Sequence, residues 1–245
     1  MHSSELAVPY TLARMLPALP PAPARLVEVG GGRGALAAAL RERGYQVTVV
    51  EPDAESAQAC RERGLAVLQA PVEAFEGGGY DAVLFTRVLH HVPDAAAAMR
   101  RAAAACRPGG VVVVEDLARD EVDLAAAGFV YDSRALLTAA GLLPAEPDAE
   151  PDAATGLDPL ARWRDIPAQM LPIHPGAVVL AAVAGLGGTR TVERTEVLWR
   201  SALGPAEGDA TRLRPVAVAL RAVEVRRIAE GTLPAIGIFA VSVSG

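Results

Sequence analysis

Val27-Glu28-Val29-Gly30-Gly31-Gly32-Arg33-Gly34 sets an acid and four glycines between an apolar run and an alanine-rich one. Glycine tolerates positive φ and carries no Cβ to hold a ligand away from the backbone. The helix expected after this loop points unpaired N–H groups at the same place, which favours a carboxylate or phosphate. Glu51 stands 21 residues beyond Gly30, at the end of the next apolar run. A carboxylate there can accept two hydrogen bonds from ribose hydroxyls, so loop and acid together point to an adenosine-containing cofactor. The loop fits G-x-G-x-x-G with Ala35 as a tolerated last position, and it also fits E-x-G-x-G-x-G. The acid at Glu28 suits a ligand bearing an amino group or positive charge and is unhelpful beside a pyrophosphate.

These residues need a scaffold that ends strands where helices begin. Five short apolar runs, Leu26–Val29, Gln46–Val50, Leu65–Leu68, Asp81–Phe85 and Val111–Val114, read as strands buried on both faces, hence a parallel sheet. Helical patterns lie between them. Ala35–Arg43 and Ala54–Arg63 both end in Arg-Glu-Arg followed by Gly44 or Gly64, with arginines at the helix's negative end and glycine as left-handed cap. Asp53 and Asp94 are expected N-caps, and Pro108-Gly109-Gly110 a tight turn. Further on, the pattern predicts a helix over Asp120–Leu143, an acidic Pro-rich loop over Pro144–Pro159, and breaks at Pro167 and Pro172. A helix at Gly176–Ala184, a strand around Arg190–Trp199, a long helix at Pro215–Glu230 and a last strand at Ile236–Val243 complete it. The expected fold is an α/β, Rossmann-like, doubly wound and mostly parallel seven-stranded sheet with a helical cap insertion. It is read as one domain, 1–245, with a cofactor-binding half at 24–116, a cap at 117–172 and sheet completion at 173–245.

Composition narrows the function classes. The net charge of −6 and pI near 5.3 give no electrostatic footprint for nucleic acid. Aromatics are only 4%, which leaves few platforms for stacking bases. All 23 basic residues are arginine, so a lysine nucleophile or Schiff base is excluded. Cys60 and Cys106 each fall in an expected helix and read as buried small hydrophobes. The N-terminal stretch lacks the pattern of a signal peptide, and no long uncharged apolar run occurs. The expectation is a soluble cytoplasmic protein, monomer or homodimer, without nucleic-acid or membrane partners.

From Val27 to Val114 the chain resembles the class I S-adenosylmethionine-dependent methyltransferases, particularly the small-molecule, methyltransferase-11/UbiE-like group. The resemblance rests on the glycine loop, Glu51-Pro52-Asp53, Tyr80-Asp81-Ala82-Val83-Leu84-Phe85, Val88-Leu89-His90-His91-Val92-Pro93-Asp94 and Arg107-Pro108-Gly109-Gly110, in order and spacing. It implies that Glu28, Gly30, Gly31, Gly32 and Gly34 hold the methionine end of the cofactor. It implies that Glu51 takes the ribose hydroxyls, with Pro52 and Asp53 beside the adenine. The family's acid after the third strand is replaced by Pro71, so adenine is expected on the Val72 backbone or on Glu73.

Methyl transfer chiefly requires the acceptor atom to be placed and aligned in a dry site, and a base only where the nucleophile must lose a proton. His91 and His90 follow the fourth strand, at the sheet edge where ligands bind, and are the candidates for that base. Tyr131, Trp163 and Arg87 are the candidate acceptor contacts, with Arg162 and Arg164 flanking the tryptophan. Glu115 and Asp116 could bind a metal, but no third ligand is evident and none is expected. The function expected is methyl transfer from S-adenosylmethionine to a small molecule. The alternatives are a catalytically silent cofactor-binding relative and, behind it, an NAD(P)-dependent oxidoreductase. The latter is disfavoured by Glu28 and by the lack of any Tyr-x-x-x-Lys pair.

Overall fold

The computed structural model describes residues 3–144, 158–165, 172–204 and 209–245. These fall into two compact units. The larger comprises Val8–Ala118, Pro172–Arg194 and Ile238–Gly245; the other comprises Met1–Ala7, Arg119–Leu171 and Thr195–Gly237.

The strands are β1 (Arg25–Val29), β2 (Gln46–Val50), β3 (Ala66–Leu68), β4 (Tyr80–Thr86), β5 (Cys106–Leu117), β6 (Thr189–Thr195) and β7 (Gly237–Val243). Their order in the sheet is β3-β2-β1-β4-β5-β7-β6, with β1, β2, β3, β4 and β5 parallel and β7 antiparallel. The expected seven-stranded Rossmann-like sheet is therefore present. Its strands face two cores by simple alternation. Val27, Val29, Val83, Phe85, Val112 and Val114 enter one core, and Leu26, Ala82, Leu84, Val111 and Val113 enter the other. Helices α4 (Ala95–Ala105) and α7 (Gly176–Ala184) cover the first face through Met99 and Val179. Helices α1 (Ser3–Met15), α2 (Ala35–Arg41) and α3 (Ala54–Glu62) cover the second through Met15, Leu40 and Cys60. Because both faces are sealed, truncating a central residue such as Leu26 to Ala should cost about 2–5 kcal/mol.

The local punctuation holds where residues cap their own turns. Asp53 and Asp94 accept from the Ser56 and Ala97 amides at 2.8 Å, and Gly44 and Gly64 take positive φ. Other boundaries shift. Cys106 is not helical: it caps α4 and opens β5, though both it and Cys60 are buried free thiols. The helix expected over Asp120–Leu143 is a 3-10 turn at Arg119–Glu121 followed by α5 (Leu124–Ala139), because the Asp123 carboxylate restarts it by capping Ala126 N. Arg162-Trp163-Arg164 lies in α6 (Pro159–Arg164). The long helix, α9 (Ala210–Ala229), starts earlier than expected, at an Asp209 cap, and carries Pro215 inside it.

The strand expected through Trp199 stops at Thr195, and Trp199 belongs to α8 (Leu198–Leu203). The cause is Glu224 on α9. Its carboxylate accepts the amides of Val197, Leu198 and Trp199 at 2.8–2.9 Å and so caps α8 from outside the local sequence. The expected loop over Pro144–Pro159 and the break at Pro167 fall largely or wholly outside the described residues.

Candidate functional site

At the C-terminal edge of β1 the loop turns through Gly30, Gly32 and Gly34, all at positive φ. Three of its glycines are required by close packing. A Cβ on Gly30 would lie 2.3 Å from Val88 Cγ2, one on Gly31 2.7 Å from Val49 Cγ1, and one on Gly34 2.6 Å from Leu65 Cδ1. Gly32 differs: nothing lies within 4 Å of its Cβ position, so the loop is open there. From below, Cys60 Sγ donates to Gly32 O at 3.0 Å, and burial pushes that thiol up to about 11.

Glu51, buried at the end of β2, spans the loop. Its Oε2 accepts Gly32 N at 2.8 Å and its Oε1 accepts Asp53 N at 3.0 Å. Each oxygen keeps a lone pair, which is the arrangement two hydroxyl donors need. Pro52 and Asp53 are exposed beside it, and the Asp53 carboxylate is engaged as the cap of α3.

Glu28 lies under the loop and is only 2% exposed. Its Oε1 accepts from Thr86 Oγ1 at 2.7 Å, while its Oε2 is enclosed with no hydrogen-bond partner. Burial pushes its carboxyl from 4.5 up to about 7, aided by the nearby Glu51 and Glu115 carboxylates and opposed by the Thr86 hydroxyl and the Ala37 amide. An enclosed acceptor without a donor is costly, and it is the chemistry that selects a donor or a cation. Thr86 was not anticipated from the sequence. Its position as the last residue of β4, beside β1, is the signal that could have revealed it.

After β3, Val72–Ala74 forms a 3-10 turn capped by Pro71. The Val72 side chain is buried in the sheet core, so only its backbone faces outward chemistry, and Glu73 is exposed.

Beyond β4, Arg87 is exposed and takes a positive φ of 56°, its amide donating to Glu115 O at 2.6 Å. A non-glycine residue there is strained and is held by its surroundings. The 3-10 turn Leu89–His91 follows. His90 is buried, and its Nδ1 lies 2.5 Å from Asp116 Oδ1. Asp116, 1% exposed, also accepts the amides of His90 at 3.1 Å and Leu117 at 2.8 Å. A carboxylate on Nδ1 keeps the proton there and leaves Nε2 as the basic nitrogen. His90 Nε2 has no hydrogen-bond partner among the described residues and is not among their sealed side-chain atoms. His91 packs on the His90 ring at 4.1 Å and pairs through Nδ1 with Pro172 O at 3.2 Å. His174 straps the same turn: its amide donates to His90 O and its Nε2 pairs with Val92 O, both at 2.8 Å. From the sequence Asp116 reads as a solvated or structural residue ahead of a metal ligand, and nothing there signals its pairing with His90. Among the described residues no group of three or more His, Cys, Asp or Glu could hold a metal ion.

Glu28, the glycine loop, Glu51, Val72, Arg87 and both histidines thus belong to the larger unit. Tyr131 and Trp163 belong to the other. There Arg119 stacks on Trp163 at 4.0 Å and the Trp163 indole donates to Arg119 O at 3.0 Å, while Arg162 stacks on Tyr131 at 4.3 Å. Trp163 is buried, so its ring and its N–H are both engaged inside its own unit.

Residues 5–147, more than half the chain, match the model of the methyltransferase domain family. Over 139 residues the chain is 33% identical to the ubiquinone biosynthesis O-methyltransferase of Xanthomonas axonopodis pv. citri (strain 306), covering 52% of this chain and 58% of that protein. The chain thus spans about half the length of the curated relatives it matches. In fold it resembles an S-adenosylmethionine-dependent methyltransferase from Mesorhizobium loti, with a TM-score of 0.58, 16% identity and 97% of each chain covered. It likewise resembles a chain in the complex between the Haloferax volcanii Trm112 methyltransferase activator and a methyltransferase, with a TM-score of 0.56, 13% identity, and 99% of this chain and 93% of that one covered. The glycine loop with its buried acid, the strand order and the family match agree, and the chain belongs to the S-adenosylmethionine-dependent methyltransferase domain family.

Proposed function

We propose that this protein transfers a methyl group from S-adenosylmethionine to a small-molecule acceptor. The observation that carries the reading is Glu28: a buried carboxylate beneath an open glycine loop, with one oxygen lacking any donor. An amino-acid ammonium would satisfy it, whereas a dinucleotide pyrophosphate would be repelled. In this reading Gly30, Gly31, Gly32 and Gly34 pass the methionine end and Glu51 holds the ribose. Pro52 flanks the adenine, which rests on the Val72 backbone and Glu73. When bound, the sulfonium supplies an activated methyl to an in-line nucleophile.

His90 is assigned as the base rather than His91, because Asp116 orients it and its Nε2 has no partner among the described residues. It would accept the proton of an acceptor hydroxyl as the oxygen takes the methyl, and Asp116 would stabilise the imidazolium. Arg87 and Tyr131 are retained as proposed acceptor contacts, and residues 117–172 as the region proposed to set acceptor choice, whereas Trp163 is buried with its ring and N–H engaged by Arg119. The net charge of −6 supports small molecules over nucleic acid as partners. No helix among the described residues is long and apolar enough to cross a membrane; the reading takes the protein as a cytoplasmic monomer or homodimer.

Calorimetric titration with S-adenosylmethionine, S-adenosylhomocysteine and NADH tests the reading. Micromolar binding of the two sulfur compounds and none of NADH is expected; the reverse overturns it. The lack of a carboxylate at Pro71 favours one alternative, a relative that binds the cofactor without transferring methyl. Tight binding with no turnover across an acceptor panel of phenols, amines and enols would select it.

A further inference from the structure

The elements around Glu28 bring it more negative charge than positive. Beside its carboxylate stand the Thr86 hydroxyl on β4 and the Ala37 amide in the first turn of α2. Glu51 directly follows β2 and Glu115 lies near the end of β5, both carboxylates raising the cost of a charge on Glu28. Cys60 on α3 senses Glu28 and Glu51 in turn, and Thr11 on α1 donates to Glu115 Oε1 at 3.3 Å. Glu28 therefore has one neutral hydroxyl donor, one backbone amide nearby, two acidic neighbours and an enclosed second oxygen outside hydrogen-bonding reach of any donor.

We propose that Glu28 exchanges a proton for the cofactor's ammonium, so that binding of an amino-acid-bearing nucleoside expels one proton from the protein. The proposal rests on the reading that Glu28 faces the methionine end. A carboxyl among acids and without a cation keeps its proton. An ammonium delivered against Oε2 supplies the missing charge and donor together, and the proton leaves to solvent. The balance is simple: carboxylic acid plus ammonium gives a carboxylate–ammonium pair plus a released proton. The raised carboxyl of Glu28 places the exchange near pH 7. Below that pH, affinity for an amino-bearing ligand falls about tenfold per unit, because the carboxyl must first ionise. A nucleoside without the amino acid would feel none of this, so the same residue also sets selectivity for the complete cofactor.

The test is titration calorimetry of the full chain with S-adenosylhomocysteine, in buffers of different ionisation enthalpy, at pH 6 and pH 8. The expected result is release of nearly one proton at pH 6 and little at pH 8, with affinity about tenfold higher at pH 8. 5′-Methylthioadenosine, which lacks the amino acid, should bind with no proton release at either pH. Glu28→Gln should abolish both the release and the pH dependence for S-adenosylhomocysteine. Binding without proton release at pH 6, or the same release from Glu28→Gln or with 5′-methylthioadenosine, overturns the proposal and leaves the cofactor reading intact. Absence of S-adenosylhomocysteine binding at both pH values would overturn the cofactor reading itself.

Discussion

Glu28 and Glu224 are the same residue type at nearly the same burial, 2% and 0% exposed, in the two units of the chain. Glu224 receives three backbone amides, both of its oxygens are used, and the result is a helix start. Glu28 receives one hydroxyl, has the Ala37 amide nearby, and keeps an oxygen with no hydrogen-bond partner. A folded unit that needs a buried acid for its own stability surrounds it with donors. One that keeps an acid unsatisfied bears a cost that stability alone does not explain, and this points to a ligand. His90 follows the Glu28 pattern: Asp116 engages one ring nitrogen while the other has no partner among the described residues.

The sharpest way to break this contrast is to remove the satisfied acid. Glu224→Ala leaves three buried amides and should cost about 3–4 kcal/mol in denaturant unfolding, with loss of the α8 start. If it costs under about 1 kcal/mol, the cap is not what holds Trp199 in helix. Next comes Asp116→Asn, which keeps the shape but disturbs the tautomer of His90. With an acceptor found by screening, kcat should fall about a hundredfold. Cofactor affinity should stay the same, and a change confined to it would argue for a purely structural pair.

Glu28→Gln should behave oppositely to the Glu224 substitution. The wild-type carboxyl is raised in the fold from 4.5 to about 7, so its favourable neutral form is fully present below pH 4.5. That stability is lost as pH rises through about 7. The variant has no such loss, so at pH 8 the unliganded protein should gain about 3 kcal/mol over wild type and nothing at pH 4. Urea melts at the two pH values measure this, and a loss at pH 8 would mean the acid is satisfied after all. The smallest effect is expected at Gly32. Gly32→Ala meets no atom within 4 Å and pays only for its left-handed φ, about 1 kcal/mol. Gly30→Ala would force Val88 aside and should cost more. Equal effects would remove the distinction between packed and open glycines.

Much of this was legible along the chain. Strands β1, β2 and β4 come from short, mostly apolar runs, and such runs read the same whichever neighbour they pair with. Gly44, Gly64, Asp53 and Asp94 mark helix ends through bonds within a few residues, which local spacing encodes. The failures share a cause. Trp199 was read as strand because Glu224, 25 residues away, supplies its cap. His90 and His91 stand together as candidates in the sequence because nothing within the His-His pair distinguishes them. Asp116, 26 residues on, does.

By itself, then, the amino-acid order determined the alternating α/β scaffold, the glycine loop that ends its first strand, and Glu51 at the end of the second. Each is a property of neighbours in sequence: periodicity, a missing Cβ, a cap. Only the tertiary structure decided which polar groups are satisfied and which are not. The strand order sets β4 between β1 and β5, and so brings Thr86 to Glu28 and Asp116 to His90. Pairing across strands depends on sheet order and register, and no local pattern carries that information.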